Sequence, residues 1–452
     1  MNIIKLKSFF LTLCAIAVIA TITSCERDTL TSSVNSHTHQ HSLKCDLVEI
    51  PENTLNDGLN LRASQAFVAP IVLIPNGSSL SELQKRQIQL GLENVRHWYQ
   101  RELPNKDIRW EKIRYLNGEK TAAHYLVDNN VWKEIPSEIK NKFGWNPWDS
   151  NSSTNRIALV LGKDLLGWAG GAGFQNGSGL AIAGLESLVD LPQVSSEWWG
   201  NQNLWPGTVI HELGHALTLP HNNDPSSIMN FHGDYKNKHL NASEKTQVEG
   251  TQALTTKGSK PIARWDFDED FKDQTKKGNN LSAKNGATQQ TGLVELAGSF
   301  DGVNDLAETA SNRINISKKI TISAWVKPNA TGGIQTIVNK WYAKDSYYMG
   351  LENGKFVFAL AFPGGAWGVA KRVTATASAY KWQHVVGTYD GSKMKIYVDG
   401  KLKSTKAVSG NLQKSTRPVS VGSHPSWNNF KGSIDMITIY DNALNENQLF
   451  TY

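Results

Sequence analysis

The chain has 452 residues, 47 Lys and Arg against 41 Asp and Glu, a formal charge of +6, and three cysteines. So mild and scattered a basic excess excludes a nucleic-acid-binding surface. So few cysteines exclude a disulfide-stapled scaffold, and the length predicts two or three domains resting on packed apolar cores.

In residues 1–24, Lys5 and Lys7 precede an apolar run from Phe9 to Ala20 that is too short for a comfortable membrane span. Ile22-Thr23-Ser24-Cys25 closes the segment and resembles a bacterial lipobox, in which the cysteine becomes the lipid-modified first residue of the mature chain. The resemblance implies export, a lipid anchor on Cys25 in the outer membrane and, with Glu26 and Asp28 just behind it, display at the cell surface. Secretion after ordinary signal cleavage is the alternative. With Lys5 and Lys7 removed, 45 basic residues face 41 acidic ones. No stretch after residue 24 approaches membrane-spanning length.

Residues 25–65 are polar and read as a tether or a pro-segment. His37, His39 and His41 alternate there as a solvated tail, and Cys45 with Asp46 is the candidate inhibitory ligand of a pro-segment.

A first domain is expected over residues 66–256. Ile71 to Ile74 reads as a buried strand, and Ser79 with Glu82 as a capping box for a helix carrying Ile88, Leu92, Val95 and Tyr99 until Pro104. Ile108 to Leu116 and Arg156 to Leu161 read as strands. Gly167-Trp168-Ala169-Gly170-Gly171-Ala172-Gly173 reads as a surface loop, because no Gly-Lys-Ser/Thr ending makes it a phosphate cradle. The strand Leu180-Ala181-Ile182-Ala183 follows it.

Pro206 suits the first turn of a helix that carries His211-Glu212-Leu213-Gly214-His215. At about 100° per residue, His211 and His215 share one face a turn apart, able to grip one ion, with Glu212 beside them as base for a water on that ion. His221 becomes the third nitrogen only if the chain turns first, which Pro220 favours. Met229, in Ser227-Ile228-Met229-Asn230, is the only Met between residues 2 and 348. Together these residues resemble the H-E-x-x-H-x-x-G-x-x-H and Met-turn pattern of the metzincins, and their tight spacing is most similar to the matrixin branch.

The resemblance implies one catalytic zinc on His211, His215 and His221, Glu212 as catalytic base, and Met229 as the floor beneath the metal. It also implies that an edge strand above the zinc binds substrate backbone, a role assigned to Leu180, Ala181, Ile182 and Ala183. Thr218 departs from the pattern, which places Gly there at positive φ. If the turn fails, Glu244 is the fallback ligand and Asp224 a poorer one. Phe231 stands where other branches place a Tyr ligand. Leu240 to Leu254 reads as a closing helix.

Residues 257–262 read as a linker and 263–452 as a second domain of short strands and turns. Trp265-Asp266-Phe267-Asp268, Phe300-Asp301-Gly302, Ala324-Trp325-Val326-Lys327-Pro328, Trp382-Gln383-His384-Val385 and Tyr397-Val398-Asp399-Gly400 resemble the laminin G-like, concanavalin A-like jelly roll. Trp325 and Trp382 fall in strands and read as core. Trp341, Trp367 and Trp427 fall in loops, where stacking on sugar and packing on a sheet edge stay open. Calcium is common in that fold and is not assigned here.

The chain thus reads as an α+β metzincin-like catalytic domain followed by an all-β jelly-roll sandwich. The expected activity is that of an exported zinc endopeptidase cleaving extracellular proteins or glycoproteins, with a carbohydrate- or surface-binding module. A catalytically inactive, glycan-binding surface adhesin is the alternative. A combined reading, in which the second domain holds the protease against a glycoprotein or polysaccharide-coated surface, predicts that deleting residues 263–452 spares peptide cleavage.

Overall fold

The computed structural model describes residues 22–25, 45–48, 66–103, 105–127, 130–149, 155–165, 169–174, 177–185, 205–230, 235–255, 259–341, 346–364, 370–424 and 428–449. In chain order the first half contains β1 (Ile22–Cys25), β2 (Cys45–Val48), β3 (Phe67–Ile74), α1 (Glu82–Glu102), β4 (Asp107–Ile108), β5 (Arg114–Asn117), α2 (Ala122–Tyr125), α3 (Asn130–Phe143), β6 (Arg156–Lys163), β7 (Ala169–Gly173), β8 (Gly179–Leu185), α4 (Trp205–Ala216), α5 (Ala242–Glu249) and β9 (Leu254–Thr255). No helix among the described residues is long and apolar enough to cross a membrane.

Seven strands form one sheet in the order β2-β1-β7-β8-β6-β3-β5. β5, β3, β6 and β8 are parallel, whereas β7 runs antiparallel to β8 and β1 antiparallel to β7. Of these, β3, β6 and β8 are near-continuous apolar runs because both faces are covered. Side chains alternate between the two layers. Val68, Val72, Leu159 and Leu161 pack with Ile88, Leu92, Val95 and Tyr99 of α1 and Val209, Ile210 and Leu213 of α4. Ile71, Leu73, Ala158 and Val160 pack on the opposite side with Val131, Trp132, Ile135 and Ile139 of α3.

Several local expectations are corrected. The capping box of α1 uses Ser81 and Gln84, with Gln84 N 3.1 Å from Ser81 Oγ and Ser81 N 2.9 Å from Gln84 Oε1. The sequence offers two overlapping boxes, and the helix takes the later one. The single strand expected at Ile108 to Leu116 is two, β4 and β5, and the closing helix is confined to α5. The glycine-rich stretch is in part a strand, β7.

Leu180, Ala181, Ile182 and Ala183 are fully buried inside β8, paired with β6 on one side and β7 on the other. With no free edge they cannot accept a substrate strand. β7 is the outer strand of that pair, and in the full chain its far edge is paired with β1, Thr23 opposite Gly171 and Cys25 opposite Ala169.

From Ala263 onward two antiparallel sheets of eight and seven strands face each other. Their inner faces meet in a core that includes Trp265, Ile322, Val326, Phe356, Phe358 and Ile437. The outer face of the eight-stranded sheet is not solvated, because α1 lies on it. Leu90 is buried with Leu293, Val294, Ala297, Trp325, Trp382 and Met436. Around this apolar patch, Glu93 Oε2 accepts from Trp325 Nε1 at 3.2 Å, and Gln89 Nε2 lies 2.8 Å from His384 Nδ1. Arg86 pairs with Asp399 at 2.9 Å. Trp325 and Trp382 are buried as expected, but against a helix of the first half.

Candidate metal centre

α4 carries His211, Glu212 and His215 and ends in a Schellman turn. Thr218 N donates to His215 O at 2.8 Å and Leu219 N to Gly214 O at 2.9 Å. This geometry requires a left-handed residue after the C-cap, and Thr218 supplies it at φ 74°. A β-branched residue there costs about 1–2 kcal/mol. Gln247 of α5 braces it, donating Nε2 to Thr218 O and reaching Thr218 Oγ1 at 3.4 Å. The turn therefore forms without glycine and brings His221 back over the helix.

The three imidazoles converge. His211 Nε2 lies 3.0 Å from His221 Nε2, and His215 Nε2 lies 3.2 Å from each of them. A tetrahedral zinc with bonds of about 2.0–2.1 Å needs ligand nitrogens about 3.3 Å apart. Among the described residues this is the only group of three or more His, Cys, Asp or Glu side chains so clustered. His211 Nδ1 donates to Ile228 O at 2.8 Å and His215 Nδ1 to Leu219 O at 2.7 Å. Those bonds place the proton on Nδ1 and leave the Nε2 lone pair for a metal.

Burial tunes the charges. Desolvation, then the nearby His221, pulls the His215 pKa down to about 4 against the opposing bond to Leu219 O. Desolvation also lowers His221, which sits exposed at the rim. Both rings are neutral near pH 7, the form that ligates. Glu212 is buried, desolvation raises its pKa well above the usual carboxylate range, and its Oε2 has no hydrogen-bond partner among the described residues. A buried carboxylate oxygen left unpaired on the helix that carries two of the three convergent nitrogens fits a centre that holds a metal and a water.

Met229 is fully buried beneath the helix, close enough that a Cβ on Gly214 would come within 2.5 Å of its Sδ. Its turn is tied down by residues the sequence reading undervalued. Ser227 Oγ accepts from Met229 N at 2.9 Å and donates to Glu244 Oε1 at 2.7 Å. Asn222, directly after the last histidine, donates to Ser227 Oγ at 3.1 Å and to Glu244. Glu244 Oε2 accepts from Asn241 N at 2.7 Å. The fallback ligand Glu244 is thus a brace for the floor and the cap of α5, a role that Asn241-x-x-Glu244 signals. Asp224 is half-buried and accepts from Ser226 N at 3.0 Å.

β7 lies directly on α4. A Cβ on Gly171 would sit 2.2 Å from Glu212 O, and one on Gly173 would sit 1.9 Å from Ala216 O. Only glycine allows this approach, which is why the stretch looks loop-like in sequence.

Cys25 and Cys45 face each other in the backbone register of β1 and β2. Trp341 is half-buried with its ring 6.2 Å from that of Tyr348. Trp367, Trp427 and Phe231 lie outside the described residues, as do His37, His39 and His41.

Residues 301–450 match the Laminin_G_3 family, the Concanavalin A-like lectin/glucanases superfamily. This second half is an all-β jelly-roll sandwich of that type. Among curated proteins, none matches the chain. Similar solved structures include domain 4 of AbnA, a GH43 extracellular arabinanase from Geobacillus stearothermophilus, in complex with arabinotriose. It is 18% identical with a TM-score of 0.36, over 42% of this chain and 97% of that one. The binding domain of Paraclostridial Mosquitocidal Protein 1 is 19% identical with a TM-score of 0.37, over 42% and 51%. The botulinum neurotoxin serotype D ligand binding domain, in complex with N-acetylneuraminic acid, is 18% identical with a TM-score of 0.35, over 42% and 49%. This chain spans about half the length of those two toxin domains.

Proposed function

We propose that the chain is an exported, zinc-dependent endopeptidase, lipid-anchored through Cys25, with a concanavalin A-like domain that takes a carbohydrate ligand. One observation carries the peptidase reading: three Nε2 atoms within 3.0–3.2 Å of one another, two of them on the helix that also carries the buried, unpartnered Glu212 carboxylate oxygen. Zinc held by His211, His215 and His221 supplies Lewis acidity, polarising a peptide carbonyl and acidifying a water.

The protein's own groups do the rest. Ile228 O and Leu219 O fix two ligand rings. Glu212 takes up the proton of the attacking water and returns it to the leaving amine, and burial, which raises its pKa, favours its holding that proton. Peptide substrate pairs with the outer edge of β7 at Gly170 and Gly171, the position that Ser24 and Thr23 hold in the full chain and that processing before Cys25 vacates.

The second reading, a glycan-binding surface protein without catalysis, draws on the concanavalin A-like match, which supports carbohydrate binding more directly than it supports proteolysis. The test is Glu212→Ala in the protein processed at Cys25, with casein or gelatin as substrate. The peptidase reading expects cleavage by wild type and none by the variant, with zinc bound to both. No cleavage by zinc-loaded wild type leaves the glycan-binding reading.

A further inference from the structure

The sandwich does more than sit beside the metal centre. Lys236 lies in the short 3-10 turn Tyr235–Asn237 that follows the Met229 segment. Its Nζ crosses to the sandwich, where it meets Asp268 Oδ2 at 3.0 Å and Glu295 Oε2. Asp268 is held in turn by Leu296 N at 3.2 Å. From the other side α1 grips the same turn: Trp98 Nε1 donates to Tyr235 O at 2.8 Å, and Arg101 donates to Lys236 O at 2.8 Å and to Lys238 O at 2.7 Å. Three residues on, His239 N donates to Ser226 O at 2.9 Å and His239 O accepts from Ile228 N at 3.0 Å. Ile228 O is the acceptor that orients His211.

We infer that Lys236, clamped by Asp268 and Glu295, is a positioning residue through which the β-sandwich holds the His211 acceptor in place, so that the metal centre is completed by the second domain. The inference rests on the zinc reading above. The chain of contacts is short and each link is a hydrogen bond or ion pair. It runs from the sandwich carboxylates through Lys236 to the 236–239 segment, then through its pairing with 226–228 to the Nδ1 proton of His211. Loss of a group that orients a metal ligand weakens metal binding by about 10–100-fold. Lys236 acts further out, through the 236–239 segment and its pairing with Ile228, so the lower end applies.

The test measures the zinc dissociation constant of the full-length protein by competition with a chromogenic chelator. Circular dichroism checks that each variant is folded. Lys236→Met is expected to weaken zinc about tenfold. Lys236→Arg keeps both carboxylate contacts and stays within about threefold of wild type. Asp268→Asn with Glu295→Gln reproduces the Lys236→Met loss, and adding Lys236→Met to that pair costs nothing more, because all three changes remove one interaction. If Lys236→Met does not fold, the Asp268→Asn, Glu295→Gln protein carries the comparison. Arg86→Met, which breaks the distant Arg86–Asp399 pair of the same interface, leaves zinc affinity unchanged. Wild-type affinity in folded Lys236→Met, or an equal loss in Arg86→Met, overturns the inference while leaving the zinc site intact. A wild-type protein that binds no zinc rejects both.

Discussion

Gly171→Ala tests whether the metal helix is seated on β7 as described. The added Cβ would stand 2.2 Å from Glu212 O, 2.9 Å from His215 Cβ and 3.0 Å from Glu212 C. Real Cβ contacts essentially never fall below 3.0 Å, so strand and helix must part by about 0.8 Å. The nearest obstacle is backbone oxygen, so no rotamer change relieves it. Overpacking of this kind costs about 1–3 kcal/mol, and a clash with backbone belongs at the upper end. Urea unfolding of the metal-free full chain, read as a midpoint change at constant slope, measures it. Gly332→Ala is the control, since a Cβ there meets nothing within 4 Å, and it should stay within about 0.5 kcal/mol of wild type. If Gly171→Ala also stays within about 0.5 kcal/mol, the close seating is wrong, and with it the placement of β7 beside Glu212.

Three further outcomes are expected. Thr218→Gly relieves the left-handed strain and keeps the Gln247 bond to the backbone carbonyl, so it is neutral or stabilising by up to about 1 kcal/mol. A loss of stability in denaturant would count against the Schellman turn. In metal-free protein the folded His215 pKa of about 4 lies below the ordinary 6.5, so the unfolded chain takes up the proton first. Stability is full above about pH 6.5 and declines toward pH 4, by roughly 3 kcal/mol from this ring. The titration is best read in Glu212→Gln, because a raised carboxyl runs the opposite way; a flat profile there refutes the burial of His215. Leu90→Ala, which opens a cavity between α1 and the sandwich, costs about 2–5 kcal/mol by chemical denaturation, and a change below 1 kcal/mol would mean that the two halves are not docked.

Legibility in the sequence followed the range of each interaction. His211, Glu212 and His215 are set by helical period alone, and Pro220 with the short step to Met229 marked the return of the chain. Thr218 was rightly singled out as the strained position, but its brace, Gln247, is 29 residues away and no local pattern names it. The glycines of β7 were misread because glycine in a loop and glycine under a helix look alike until the helix is placed. α3 was missed although Val131, Trp132, Ile135 and Ile139 fall at helical spacing. Gln89, Glu93 and Arg96 are polar, a pattern that does not signal a contact, yet all three are buried with partners in the second half.

That last point changes what the second domain can be. A module on a loose linker would leave peptide cleavage untouched when removed. Here removal of residues 263–452 would expose Leu90 and strip Glu93, Gln89 and Asn94 of their partners Trp325, His384 and Arg264. Water would replace those polar partners, but the bared apolar surface around Leu90 has no such substitute and drives aggregation. The same contact fixes where a carbohydrate can bind. Trp325, His384 and Tyr440 on the outer face of the eight-stranded sheet are buried and already engaged by α1. A sugar must therefore use the other sheet or the loops. On the proposed reading, any ligand taken there would be held at a fixed distance from the histidine centre, and the sandwich would constrain which part of a glycoprotein substrate could reach Glu212.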